Sequence, residues 1–164
     1  MPPIITINEH LADEAATLAL GARLAAAIEP GLSIHLRGDL GAGKTTLARG
    51  LIRALGHAGK VKSPTYTLVE LYAFSRLNLY HFDFFRFKDP REWRDAGLDE
   101  CFNATSVCLV EWPEKAADLL PPPDLRIELT PAASGRDVIL QAHSERGARC
   151  LERFCGKAAN DRDS

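Results

Sequence analysis

The hydrophobic positions change their period several times along the chain, and each change marks an element. Ala, Leu and Ile recur through residues 9–28, a spacing that predicts a helix capped by Asn8 and stopped by Pro30-Gly31. Ser33 to Arg37 then reads as a short strand carrying Ile34 and Leu36. After a glycine-rich turn, Leu47, Leu51, Ile52 and Leu55 fall at helical spacing within residues 45–55. The order so far is strand, glycine turn, helix.

Beyond a loop over 56–64, Thr65–Tyr72 and Leu77–Phe85 read as two extended runs joined into a hairpin. In the second run, Leu77, Leu79, His81 and Asp83 share one side and Asn78, Tyr80, Phe82 and Phe84 the other, so Asp83 ends a largely apolar row. Pro90 after Asp89 opens a short helix through Arg94. Val107-Cys108-Leu109-Val110 is a four-residue apolar strand that ends on Glu111. Pro113–Leu120 predicts a further helix, stopped by Pro121-Pro122-Pro123. Leu125–Leu129 and Val138–Ala142 pair as a hairpin around Ser134-Gly135. Strands alternating with helices predict an α/β fold: a central, largely parallel sheet with helices on both faces and antiparallel hairpin additions. The expected organisation is one domain over residues 1–156, with 157–164 a frayed, disordered tail.

Composition narrows the partners more than the fold. Twenty Lys and Arg against 22 Asp and Glu give a net charge of −2, and neither half of the chain is a polybasic arm, which disfavours autonomous binding to nucleic acid. No stretch approaches the ~18 apolar residues needed to span a bilayer, and the first residues carry no secretory leader pattern, so no membrane association and a cytoplasmic location are expected. Cys101, Cys108, Cys150 and Cys155 show no C-x-x-C pair and are read as free thiols.

The strongest chemical signal is Gly38-Asp39-Leu40-Gly41-Ala42-Gly43-Lys44-Thr45, which fits G-x-x-x-x-G-K-[ST] between a predicted strand and a predicted helix. Glycines at this spacing let backbone N–H groups turn toward a phosphate chain, the helix start adds its positive dipole end, Lys44 supplies a formal charge, and the Thr45 hydroxyl suits Mg²⁺. Residues 37–62 hold Arg37, Lys44, Arg49, Arg53, Lys60 and Lys62 against Asp39 alone, which raises the local potential for a polyphosphate. The chain therefore reads as a P-loop NTPase-like domain that binds ATP/ADP with Mg²⁺.

Turnover needs an acid near the metal and something to position water. Glu111 follows an apolar strand as a metal-supporting acid does, and Asp83 is the second candidate, with a strand-end ion pair to Arg86 as its competing role. His81 is read as structural. Thr65 reaches a phosphate or metal in the manner of a switch loop, or else closes a simple turn. Trp112 stacks on a base, meets a partner or packs.

Four blocks carry a resemblance: Gly38 through Thr46, Val61-Lys62-Ser63-Pro64-Thr65-Tyr66-Thr67-Leu68-Val69-Glu70, His81-Phe82-Asp83 with Arg86, and Leu109-Val110-Glu111-Trp112-Pro113-Glu114. In this order and spacing they resemble the TsaE family of bacterial ATPases in tRNA threonylcarbamoyladenosine synthesis. The resemblance implies that Lys44, Thr45 and Thr46 bind phosphate and magnesium, that Thr65 lies in a switch-like loop, that Asp83 and Glu111 are required for ATP hydrolysis, and that Trp112 lies near the site. It also implies two partner proteins, TsaB and the transferase TsaD, with tRNA met only through the complex and ATP hydrolysis resetting the assembly between rounds. The family pattern has tyrosine where this chain has Phe85. The competing readings are a small-molecule kinase using the same loop, and a GTP switch module, which the absence of D-x-x-G and N-K-x-D disfavours.

Overall fold

The computed structural model describes residues 2–156, so the expected tail over 157–164 lies outside the described residues. In chain order the elements are β1 (Ile5–Leu11), α1 (Glu14–Ala25), β2 (Ser33–Arg37), α2 (Lys44–Ala54), β3 (Val69–Ala73), β4 (Asn78–Asp83), α3 (Pro90–Asp95), β5 (Ser106–Glu111), β6 (Leu125–Pro131), β7 (Arg136–Ala142) and α4 (Glu145–Cys155). One-turn 3₁₀ helices cover Leu98–Cys101 and Pro113–Ala116.

The seven strands of the described residues form one sheet in the order β1-β7-β6-β2-β5-β4-β3. The centre is parallel, β2 lying between β6 and β5 and β5 pairing with β4. The antiparallel pairs β1–β7, β6–β7 and β3–β4 extend both sides. This is the expected α/β sheet, and its alternating side chains separate two cores. On one face Leu79, Leu109, Ile34, Leu36, Ile127 and Leu140 pack under α1, α2 and α4. On the other, Phe82, Phe84, Cys108 and Val110 meet Trp93 of α3 and Leu98. Burial on both faces is why Leu79 and Phe82 of β4, and Val107 through Val110 of β5, are apolar on either side of the sheet.

The first residues differ from the sequence reading. Asn8 caps no helix: residues 5–11 alternate as Ile5, Ile7, Glu9 and Leu11 against Thr6, Asn8 and His10, and they pair with β7 along their whole length. Helix α1 begins at Glu14, capped by Asp13, whose side chain accepts from the Ala16 N–H at 2.9 Å. Thr65–Thr67 form a turn and not a strand; β3 starts only at Val69, after Leu68 turns the chain at φ 69°. The helix expected over 113–120 is a single 3₁₀ turn. A helix that the sequence reading left unassigned, α4, is capped by the Ser144 hydroxyl on the Gly147 N–H. The four cysteines are free thiols, as expected.

Candidate functional site

Parallel strands β2, β4 and β5 all point their carboxyl ends the same way, so Arg37, Asp83 and Glu111 terminate at one edge of the sheet. The β4–β5 register sets Asp83 directly beside Glu111. Between β2 and α2 the glycine turn wraps over this edge, with φ of 147° at Gly38, 78° at Gly41 and 107° at Gly43, values open to glycine and costly for other residues. Gly43 caps α2 without any side chain, so the N–H groups of its first turn have no acceptor of their own. Gly43 through Thr46, which carry the start of this turn, line the cleft beside it.

That cleft has a volume of about 500 Å³. Leu40 through Thr46 line it, together with Ser63, Thr65, Asp83, Glu111 and Trp112. Gly38 and Asp39 do not. Gly38 sits under the turn, where a Cβ would come within 2.6 Å of the Leu129 carbonyl, and the Asp39 carbonyl accepts from the Ala42 N–H at 3.0 Å. These two residues shape the turn and leave the cleft wall to the ones that follow.

Lys44 is buried, with its ammonium donating to the Gly38 carbonyl and lying 3.5 Å from the centre of the Trp112 ring. Burial lowers its pKa, and the carboxylates of Glu111, Glu114, Asp83 and Asp39 pull the other way. Trp112 adopts φ 55°, ψ 49°, a left-handed backbone unusual for a bulky residue, and this aims its ring back over Lys44. Phe85 packs against the same ring with centroids 5.0 Å apart.

The two acids are held differently. Glu111 Oε1 accepts from the Thr45 hydroxyl at 2.9 Å, and Oε2 lies 2.6 Å from His81 Nε2. Asp83 accepts the Phe85 N–H at 2.9 Å on one oxygen and the Thr65 hydroxyl at 3.3 Å on the other, with Ser63 Oγ 2.8 Å beyond. Burial pushes the Asp83 carboxyl above its usual range, and the charge of Glu111 adds to that. Arg86 forms no ion pair with Asp83 and sets its guanidinium 4.8 Å from the centre of the Tyr66 ring.

Thr45 and Glu111 thus offer two adjacent hard oxygen donors. Among the described residues no three His, Cys, Asp or Glu side chains converge on a metal position. The arrangement suits a cation such as Mg²⁺ that keeps waters and phosphate oxygens and asks the protein for one or two ligands.

Two contributors escaped the sequence reading. Arg136, at the start of β7 and itself part of the cleft lining, donates to the Ala42 and Gly41 carbonyls at 2.8 and 2.9 Å and braces the turn. His81, read as structural, contacts an acid of the cleft. An arginine 94 positions along the chain leaves no local signal, whereas the alternation in β4 already set His81 on the side of Asp83.

The family model described as "Threonylcarbamoyl adenosine biosynthesis protein TsaE" matches residues 11–138. The chain belongs to the TsaE family. A relative from Haemophilus influenzae, named tRNA threonylcarbamoyladenosine biosynthesis protein TsaE, is 38% identical over 91% of this chain and 98% of its own. The TsaE protein of Bacillus subtilis is 44% identical over 68% and 69%. The crystal structure of Bacillus subtilis YdiB superposes with a TM-score of 0.80 at 31% identity, covering 94% of this chain and 97% of that one. Membership in TsaE makes this a tRNA threonylcarbamoyladenosine biosynthesis protein with the mixed, centrally parallel α/β sheet described above.

Proposed function

We propose that this protein is a Mg²⁺-dependent ATPase of threonylcarbamoyladenosine biosynthesis, which binds ATP and ADP in the cleft and works in the cytoplasm with TsaB and TsaD, meeting tRNA only through them. The observation that carries the reading is the convergence of Lys44, the open first turn of α2 and the Thr45–Glu111 pair on one cleft.

In this reading the backbone of residues 40–46 and the Lys44 ammonium hold the β and γ phosphates, and Lys44 leaves Gly38 and the Trp112 ring to do so. Thr45 and Glu111 would hold Mg²⁺, which supplies neutralisation of the charge that gathers on the phosphate oxygens. Asp83 orients the attacking water, and its raised pKa makes it a readier proton acceptor. Thr65 ties the 63–67 turn to Asp83, so movement of that turn alters the acid. A net charge of −2 fits a subunit whose contact with tRNA is made by its partners.

Phosphate release from ATP, measured with the protein alone and with both TsaB and TsaD, tests the reading. Expected are a slow rate alone, dependence on Mg²⁺, and a rise with the partners. No rise with both present argues against the partnership, and phosphate found on a small acceptor instead of free in solution identifies a kinase.

A further inference from the structure

Of the two oxygens of Glu111, one is taken by Thr45 and the other by His81. The second partner has no evident reason to be a histidine. The ring is fully buried, its Nε2 makes one short contact with Glu111, and its Nδ1, buried as well, has no partner among the described residues. A ring kept only to fill space would do better without nitrogens, because an unpaired buried polar atom is costly. Among the described residues the hydrogen-bond partner of this imidazole is the Glu111 carboxylate. His81 lies outside the cleft lining, two residue pairs behind Asp83 and Glu111 in the β4–β5 register, so its hydrogen bond reaches the cleft through Glu111.

We propose that His81 is a positioning residue. It fixes Oε2 of Glu111 so that Oε1 stays beside the Thr45 hydroxyl, in the orientation a shared metal ion requires. Without that contact, Oε2 is a buried charged oxygen with no donor, and the carboxylate turns toward the water of the cleft. The inference rests on the reading of the cleft as a Mg²⁺-nucleotide site.

Two substitutions in the full chain separate positioning from packing. His81→Phe keeps an aromatic ring and removes the donor; His81→Gln removes the ring and keeps an N–H able to reach the same oxygen. The readout is the gain in calorimetric affinity for a non-hydrolysable ATP analogue on adding Mg²⁺, with kcat and KM for ATP measured alongside in the presence of both partners. In His81→Phe the Mg²⁺-dependent gain and kcat should each fall by about 10-fold or more, with metal-free affinity and KM little changed, and His81→Gln should recover most of both.

The opposite ranking, equal loss in both variants, or no loss in either overturns the proposal. If His81→Phe does not fold, His81→Gln decides alone: a retained Mg²⁺ gain supports positioning and a lost one refutes it. A wild-type protein that gains affinity with Mg²⁺ but releases no phosphate refutes hydrolysis only, and the binding arm still decides the role of His81. A wild-type protein with no Mg²⁺ gain refutes both.

Discussion

Lys44 and Glu111 bring opposite charges to one wall of the cleft, and their removal should fail in different ways. In Lys44→Ala the phosphates lose a charge-assisted donor, and nucleotide affinity should fall by about 2 kcal/mol, roughly thirtyfold, by calorimetry. In Glu111→Gln, metal-free affinity should hold while kcat drops, because the lost interaction belongs to the metal and the transition state. Both residues were legible in the sequence, since a glycine turn with its lysine, and an acid closing an apolar strand, are contiguous patterns. Arg136 was not, because its acceptors lie 94 and 95 positions away. His81 was half legible: alternation gave its side of the strand, but only the pairing of β4 with β5 brought it to a carboxylate 30 residues on.

At the scale of elements, α1 and α2 touch where their backbones come closest. A Cβ on Gly21 would lie 2.3 Å from the Leu47 carbonyl, and one on Gly50 2.3 Å from that of Leu18. These are backbone obstacles that no rotamer change relieves, so the helices must part. Gly21→Ala should therefore lower stability by about 1–3 kcal/mol or more in urea unfolding, with a matching fall in Tm. Since α2 begins at the cleft, the same variant should also weaken nucleotide binding. The sequence revealed α2, β2, β4, β5 and the β6–β7 hairpin, because their apolar periods were unmixed. It misled over 5–11, where a short alternating strand runs straight into an Ala- and Leu-rich helix and the two patterns blur. The turn before β3 depended on a left-handed Leu68, a conformation to which leucine gives no clue.

For the whole molecule, acid should act through a histidine outside the cleft lining. His35, in the middle of β2, is buried beside Arg126 and Arg37, and its pKa falls from 6.5 to about 4, through burial first and the two cations second. The folded protein thus refuses a proton that the unfolded chain accepts. The stability this neutral ring allows is complete above pH 6.5 and is lost as pH falls toward about 4, by about 3 kcal/mol at most. In His35→Phe that loss should be absent, so urea unfolding of variant and wild type at about pH 7 and about pH 4.5 should show the variant gaining ground in acid.

The pairing of β1 with β7 bears on how the molecule is made. Ile5 lies opposite Ala142, and Leu11 opposite Arg136. Closing a loop of that length is slow compared with forming a local hairpin. During synthesis β1 emerges with no neighbour, and it must wait unpaired until β7, the last strand of the described residues, leaves the ribosome. The Thr6, Asn8 and His10 side chains make one side of that strand polar, and Glu9 interrupts the apolar row of Ile5, Ile7 and Leu11 on the other, which guards a nascent chain against pairing with the wrong edge.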